Sequence, residues 1–193
     1  MTPKDLLDRF GPREAMDYDV VIVGGGPGGM ATAIRLKQRA AAMGQEISVV
    51  VLEKASEPGA HTLSGAVMDP IAITELIPNW RDLGAPLNQP VTGDQLLTLT
   101  EDGTATIPDW LMPQCFHNHG NYVVRLGAVV KWLGDQAEAL GVEVFPGFTA
   151  AEVLYDEQGR VRGVATGNLG IGKDGEPHDG FQLGMELTGK YTV

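Results

Sequence analysis

A chain of 193 residues provides for one domain, or for one domain and part of a second, and its 43% hydrophobic and 20% charged residues are typical of a globular protein. The 14 basic and 25 acidic residues give a net charge of −11, which argues against nucleic acid as a partner and against docking on anionic lipid through a basic patch. The one cysteine, Cys115, excludes an internal disulfide bond and any metal or iron–sulfur site made from several cysteines of this chain.

Residues 1–17 are predicted to be an amino-terminal extension. They lack the apolar core of a signal peptide and are too acidic for an organellar transit segment. The apolar runs in the sequence are only a few residues long, far below the roughly 20 that span a bilayer. We therefore expect neither a targeting segment nor a transmembrane helix.

Residues 18–65 are predicted to form a βαβ unit. The β-branched run Asp19–Val23 indicates a first strand, and Met30–Met43 a helix that ends at Gly44. The unalternating apolar run Ile47–Leu52 is typical of a parallel strand buried on both faces.

The turn between the first strand and the helix fits the pattern G-x-G-x-x-G through Gly24, Gly26 and Gly29. In such a turn the first glycine permits the tight bend, the second lets a pyrophosphate approach the backbone, and the third lets helix and strand pack closely. The start of the helix then offers free N–H groups and a positive dipole end to the phosphates. The alternative is a glycine-rich turn with a structural role alone.

Glu53 follows the second strand, where a carboxylate can accept the ribose hydroxyls of a dinucleotide. A 2′-phosphate would be repelled there, which disfavours NADP, whereas NAD and FAD share the adenosine-diphosphate half. In the loop that follows, the glycines and the small polar residues Thr62 and Ser64 could approach a large flat ring, which favours FAD. On these residues alone, an ordinary surface loop and a solvated Glu53 remain the alternatives.

Residues 66–122 lose their periodicity and contain six prolines, at positions 70, 78, 86, 90, 108 and 113, and a seventh, Pro58, precedes them. This predicts an insertion that is part of a second lobe. The sequence IPDWLMPQCF within it forms an apolar cluster made of Ile107, Trp110, Leu111, Met112 and Phe116. Its predicted role is a hydrophobic peripheral contact with a membrane, and the alternative is packing inside the second lobe.

Residues 123–193 return to regular patterns. A helical stripe runs from Leu126 to Leu140, Val142–Phe145 reads as the next parallel strand, and Ala150–Tyr155 with Arg160–Thr166 as a β-hairpin. The last ten residues read as a further strand. The predicted fold is an α/β Rossmann-like, three-layer FAD/NAD(P)-binding domain of the glutathione-reductase-like class, with the chain as the first part of something longer. A complete small domain with an edge strand is the alternative.

Two other candidate sites are rejected on the residues. GNLGIGKD approaches a nucleotide-triphosphate loop, but Asp174 stands where Ser or Thr must bind magnesium. His117, His119 and Cys115 lack a further ligand, so no metal is expected. No nucleophile with a base partner stands out, and catalytic side chains remain unassigned, which suits an enzyme whose cofactor carries the chemistry.

Four segments together resemble the electron-transfer flavoprotein:ubiquinone oxidoreductase family. They are VVIVGGGPGGMATA, PGAHTLSGAVMDP, HNHGNYVVRLG and GVATGNLGIGKDGEP. The first segment and the helix after Arg125 are shared with many flavoproteins, including hydroxylases and geranylgeranyl reductases, and the other three are narrower. The resemblance extends from about Tyr18 to Val193.

This resemblance implies an FAD enzyme, an electron-transferring-flavoprotein dehydrogenase, which takes electrons from reduced electron-transfer flavoprotein and reduces ubiquinone. It implies pyrophosphate contacts from the glycine turn, adenosine contacts from Glu53 and Lys54, a flavin-side stretch from Thr62 to Ala66, and Arg125 near the dinucleotide. For Arg125 the alternative is a plain residue at a helix start. The cofactor residues so implied are Gly24, Gly26, Pro27, Gly28, Gly29, Glu53, Lys54, Thr62, Leu63, Ser64, Gly65, Ala66 and Arg125.

The family also has a cysteine-ligated [4Fe–4S] cluster, whose ligands this chain lacks. The chain alone is therefore expected to be inactive. The implied location is peripheral, on the cytoplasmic face of a bacterial inner membrane rather than in a mitochondrion. A flavin reductase or hydroxylase fed by NAD(P)H and a non-catalytic, truncated FAD-binding module are the alternative functions.

Overall fold

The computed structural model describes residues 3–193, with side chains from residue 5 onward. The α-helices of this range are α1 (Pro3–Phe10), α2 (Pro27–Ala42), α3 (Ile71–Leu76) and α4 (Leu126–Ala139). The strands are β1 (Ala15–Val23), β2 (Val49–Glu53), β3 (Ala66–Met68), β4 (Gln89–Pro90), β5 (Leu96–Leu99), β6 (Thr104–Ile107), β7 (Tyr122–Val124), β8 (Glu143–Pro146), β9 (Ala150–Tyr155), β10 (Val161–Thr166), β11 (Leu169–Ile171), β12 (Pro177–Gln182) and β13 (Glu186–Thr192).

A six-stranded sheet in the order β8-β2-β1-β13-β10-β9 forms the centre of the fold. Strands β8, β2, β1 and β13 run parallel, whereas β10 and β9 pair antiparallel. Val23 at the end of β1 pairs with Leu52, and Leu52 pairs with Phe145 of β8. The carboxyl ends of three neighbouring strands therefore meet at one edge, where open α/β sheets bind ligands. The predicted α/β class is confirmed.

The βαβ unit follows from local sequence. All five residues of β2 are buried, as its unalternating apolar run predicts. Helix α2 begins at Pro27, earlier than predicted, because proline is well suited to the first helical position, where no N–H partner is needed. Gly44 has φ +64°, so it ends the helix in the left-handed region.

Two apolar clusters cover the two faces of the sheet. Val49 and Val51 join one cluster, and Val50 and Leu52 join the other, because successive side chains of a strand point to opposite faces. The first cluster also contains side chains of α2 and α4, together with Trp80, which is 2% exposed. Part of the segment 66–122 thus packs on the dinucleotide-fold helices, and its assignment to a second lobe stays a prediction.

The rest of that segment forms small separate sheets. Strands β3, β7 and β4 make a three-stranded antiparallel sheet, and β5 pairs with β6. In the apolar cluster that follows, Trp110 is 80% exposed, Leu111 55% and Phe116 50%, whereas Met112 is buried and Ile107 half-buried. Packing inside a lobe therefore describes Met112 and in part Ile107, but not Trp110, Leu111 or Phe116.

The amino-terminal extension is tied to the sheet. The side chain of Arg13 is only 5% exposed. It forms one ion pair with Glu152 of β9 at 2.8 Å and a second, longer one with Glu186 of β13 at 4.0 Å. The segment GNLGIGKD contains β11 and the turn to β12, so it is followed by a strand and not by the helix that a triphosphate loop requires. None of the helices within residues 3–193 is long and apolar enough to cross a membrane.

Candidate functional site

The turn after β1 needs glycine at its first and third positions for the fold itself. Gly24 has φ +110° and donates a hydrogen bond to the carbonyl of Leu52 at 2.8 Å. A Cβ added to Gly29 would lie 2.0 Å from the carbonyl oxygen of Gly24, closer than real Cβ atoms come. These two glycines are therefore explained by the bend and by the close packing of α2 on β1.

Gly26 and Gly28 have no such structural reason. A Cβ added to either would meet nothing within 4 Å, so both face open space. Gly26 is the residue that precedes α2, and no side chain caps the helix there. Pro27 has no N–H and Met30 donates its N–H to the carbonyl of Gly26 at 3.0 Å, so the N–H groups of Gly28 and Gly29 are the ones left without an intrahelical partner. The positive end of the helix dipole faces the same space. This concave, donor-rich turn fits a phosphate group.

Glu53 links the turn to the end of β2. Its side chain is 9% exposed, and its Oε2 and Oε1 atoms accept hydrogen bonds from the N–H groups of Gly25 at 2.9 Å and Ala55 at 2.7 Å. It is therefore not a solvated strand end. Each carboxylate oxygen keeps a further lone pair, so hydrogen bonds from ribose hydroxyls stay chemically feasible, and that role stays a prediction.

A cavity of about 220 Å³ opens at this edge of the sheet. Phe148 donates its N–H to the carbonyl of Glu53 at 3.0 Å, and this contact brings the chain after β8 beside the turn. The sequence patterns did not identify that segment as part of the site, although its position after a parallel strand was a signal. The cavity is lined by Val23, Gly24, Leu52, Glu53, Lys54, Phe148, Thr149 and Ala150.

A second cavity, of about 350 Å³, lies between the loop after β2 and the start of α4. Its lining includes Thr62, Ser64 and Arg125, which the sequence assigned to one cofactor. Two predicted members do not line the cavity. Leu63 is 89% exposed, and Ala66 belongs to β3, where it pairs with Val124 of β7. The structure thus brings Thr62, Ser64 and Arg125 together, whereas Glu53 and Lys54 line the first cavity. The full lining is Glu57, Pro58, Gly59, Ala60, Thr62, Ser64, Arg125, Gly127, Ala128 and Lys131.

The two cations of this cavity differ in their partners. Lys131 forms an ion pair with Glu57 at 3.2 Å, and this hydrogen-bonded carboxylate raises the pKa of Lys131. Arg125 precedes the first residue of α4, its side chain is exposed, and among the described residues no acceptor or carboxylate pairs with its guanidinium. A free guanidinium beside polar loop residues suits a phosphate or another acceptor-rich ligand.

The remaining titratable clusters do not form a site. Within residues 3–193 no group of three His, Cys, Asp or Glu side chains could hold a metal ion. His117 lies 3.6 Å from Asp109, and Asp156 pairs with Arg160 at 2.7 Å. A further cavity, of about 530 Å³, is an apolar groove between α2 and α3 that contains none of the predicted cofactor residues except Pro27.

Comparison with known families supports a dinucleotide fold. The family of NAD(P)-binding Rossmann-like domains matches residues 22–85, which contain the turn, Glu53 and the loop after β2. Among solved structures, a geranylgeranyl bacteriochlorophyll reductase-like protein from Thermoplasma acidophilum aligns with a TM-score of 0.62, 20% identity, and coverage of 92% of this chain and 38% of that chain. The FAD-dependent chondrochloren halogenase from a myxobacterium aligns with a TM-score of 0.56, 19% identity, and coverage of 92% and 36%. These identities show a shared fold.

Curated relatives are far more similar in sequence. The electron transfer flavoprotein-ubiquinone oxidoreductase of Pseudomonas aeruginosa is 56% identical over 183 residues, which cover 94% of this chain and 33% of the relative. The mitochondrial proteins of the same name from Mus musculus and Caenorhabditis elegans are 56% and 57% identical over 97% and 94% of this chain, and 30% of each relative is covered. The chain therefore spans about a third of the length of the curated relatives it matches.

Proposed function

We propose that this chain, which is homologous over nearly its whole length to electron transfer flavoprotein-ubiquinone oxidoreductases, supplies FAD-binding structure to such an enzyme. The observation that carries the proposal is the identity of 52–57% over 94–97% of the chain, in relatives that carry this name in bacteria and in mitochondria. The open glycine turn at the sheet edge gives the proposal a physical site.

The adenosine-diphosphate half of FAD would bind at the turn and the first cavity. Gly26 and Gly28 leave room for the pyrophosphate, and the free N–H groups of α2 donate to it. Glu53 would accept the ribose hydroxyls with its remaining lone pairs, and Lys54 would lie beside the adenosine. Because a carboxylate repels a 2′-phosphate, this set favours FAD over NADP.

The flavin half would lie along the second cavity. Thr62 and Ser64 offer hydroxyl and backbone groups, a Cβ added to the neighbouring Gly65 would meet nothing within 4 Å, and Arg125 offers an unpartnered positive charge. FAD supplies the redox chemistry, since it can accept and pass on electrons. The contribution of the chain is to hold and orient the dinucleotide. Only Cys115 is available as a thiolate, so the four ligands of a [4Fe–4S] cluster would come from outside this chain.

In the whole enzyme, the proposed reaction is electron transfer from reduced electron-transfer flavoprotein to ubiquinone. The proposed location is peripheral, on the cytoplasmic face of a bacterial inner membrane. The exposed side chains of Trp110, Leu111 and Phe116 support a membrane contact, since water solvates them poorly. The net charge of −11 makes a hydrophobic contact more favourable than an electrostatic one with anionic lipid.

The decisive experiment is to incubate the purified chain with FAD, remove free cofactor by gel filtration, and record the visible spectrum. We expect an absorption band at about 450 nm and about one FAD per chain. A colourless protein would contradict the proposed cofactor role.

Rapid mixing of an enzyme that contains this chain with NADH, and separately with reduced electron-transfer flavoprotein, distinguishes the proposed reaction from that of an NAD(P)H-fed reductase or hydroxylase. If NADH reduced the flavin and reduced electron-transfer flavoprotein did not, the proposed electron donor would be wrong.

A further inference from the structure

The loop after β2 and the first turn of α4 are in backbone contact at two glycines, Gly59 and Gly127, and we call this contact the glycine crossing. A Cβ added to Gly59 would lie 2.2 Å from the carbonyl oxygen of Gly127. A Cβ added to Gly127 would lie 2.7 Å from the carbonyl oxygen of Gly59. Both obstacles are backbone atoms, which cannot rotate aside as the end of a side chain can. The observed spacing therefore admits only glycine at both positions.

The two glycines differ in what else requires them. Gly59 has φ +86°, a left-handed conformation that by itself favours glycine. Gly127 is the second residue of α4 and does not have a positive φ. An alanine would normally be preferred at such a helical position. The close approach of the loop is therefore the physical reason for glycine at position 127.

The glycine crossing also forms one wall of the second cavity. Gly127 follows Arg125 by two residues, and the carbonyl of Gly59 accepts the N–H of Thr62 at 3.0 Å. The crossing thus fixes how far the polar groups of the loop lie from the guanidinium. We propose that Gly127 is a positioning residue, which lets Thr62, Ser64 and Arg125 contact one bound dinucleotide at the same time. This inference rests on the proposed FAD site.

The substitution Gly127→Ala tests the inference, and Gly134→Ala is its matched control. Both replace glycine by alanine in α4, so both change the helix propensity in the same direction. The Cβ of Gly134→Ala would meet the Cγ atom of Pro58 at 3.2 Å, a contact that a change of the proline ring pucker relieves without movement of the backbone. We expect Gly127→Ala to raise the Kd for FAD about tenfold or more, because a misplaced binding group loses its contact. Gly134→Ala should stay within about threefold of the wild type.

Amide hydrogen exchange without FAD supplies a readout of the loop itself. The N–H groups of Ala60 and Thr62 are bonded to the carbonyls of Glu57 and Gly59, and they should exchange faster in Gly127→Ala than in Gly134→Ala. Equal Kd values and equal exchange in the two variants would overturn the positioning role. A wild-type chain that binds no FAD would instead overturn the proposed function, and this inference with it.

A measurement on the wild type keeps the inference testable if Gly127→Ala does not fold. Binding of FAD should slow exchange in residues 59–65 and in residues 125–128 together, since the glycine crossing makes them two walls of one cavity. Protection of one segment without the other would contradict the inference.

Discussion

The Oε2 atom of Glu53 accepts a hydrogen bond from the N–H of Gly25 at 2.9 Å, so the end of β2 holds the glycine turn in place. The geometry leaves little freedom, because a Cβ on Gly25 would lie 3.0 Å from both the Cβ and Oε2 atoms of Glu53. This carboxylate therefore shapes the turn through the protein's own backbone, whatever further bonds it makes to a ligand.

Glu53→Gln is expected to lower the free energy of unfolding by about 1–3 kcal/mol, because the amide nitrogen would face one of the two N–H donors and leave it unsatisfied. Urea unfolding followed by circular dichroism measures the change. Glu57→Gln is the matched control, since the carboxylate of Glu57 is 55% exposed and pairs with Lys131, and its cost should stay below about 1 kcal/mol. Equal costs for the two variants would contradict the role of Glu53 in the turn.

Gly28→Ala and Gly29→Ala should separate cofactor binding from folding. The methyl group of Gly29→Ala would collide with the carbonyl of Gly24, so we expect a loss of about 3 kcal/mol or a failure to fold. The methyl group of Gly28→Ala meets no protein atom within 4 Å but occupies the space proposed for the pyrophosphate. Its thermal stability should equal or exceed that of the wild type, because alanine favours the helix, while the Kd for FAD rises about tenfold or more. Wild-type FAD affinity in Gly28→Ala would place the phosphates elsewhere.

Asp19 predicts a stability change at acid pH. The ammonium group of Lys190 at 2.6 Å and the N–H of Ser48 at 2.8 Å lower the pKa of Asp19 from 3.8 to about 2. Because the folded pKa lies below the unfolded one, this stabilisation is complete above about pH 4 and is lost as the pH falls toward about 2. Asp19→Asn should therefore lower the Tm at pH 5 and have no effect near pH 2. In the Lys190→Met background, Asp19→Asn should lower the Tm at pH 5 by less than it does in the wild type. If Asp19→Asn still lowered the Tm at pH 2, the pH dependence could not be assigned to the ionisation of Asp19.

The exposed apolar cluster predicts binding to uncharged lipid. Trp110→Ser with Leu111→Ser should reduce co-sedimentation with phosphatidylcholine vesicles about tenfold or more, since the tryptophan and leucine side chains supply exposed apolar area. Leu169→Ser is the matched control, because Leu169 is 59% exposed on β11 and lies outside the cluster. Sedimentation that is unchanged in the double variant would refute a membrane contact through this cluster.

The sequence predicts elements well where burial follows a local period. The apolar run of β2 is buried throughout, and Val129, Leu133 and Ala137 lie on the buried side of α4 as their spacing indicates. Trp132 is also buried, although it falls between the predicted positions. Its burial is possible because the indole N–H donates a hydrogen bond to the carbonyl of Leu83 at 3.0 Å and is not left unsatisfied. Such a partner belongs to a distant segment, so the helical period alone cannot indicate it.

Elements held mainly by backbone pairing are harder to predict. The three residues of β11 are all exposed, so the hairpin with β12 has no apolar alternation to reveal it. The candidate site shows the same limit. The sequence places Glu53 correctly at the end of β2, but its N–H partner Gly25 and its neighbour Phe148 lie in the segments that follow β1 and β8. Only the order of strands in the sheet brings them together.

The position of β13 has a consequence for synthesis of the chain. This strand lies between β1 and β10, and its first residue, Glu186, pairs with Ala15. The ribosome synthesises Ala15 long before Glu186, so one edge of β1 stays unpaired until β13 has emerged. During that time the backbone groups of this edge can pair with non-native strands, and a chaperone that binds the nascent chain would prevent such pairing.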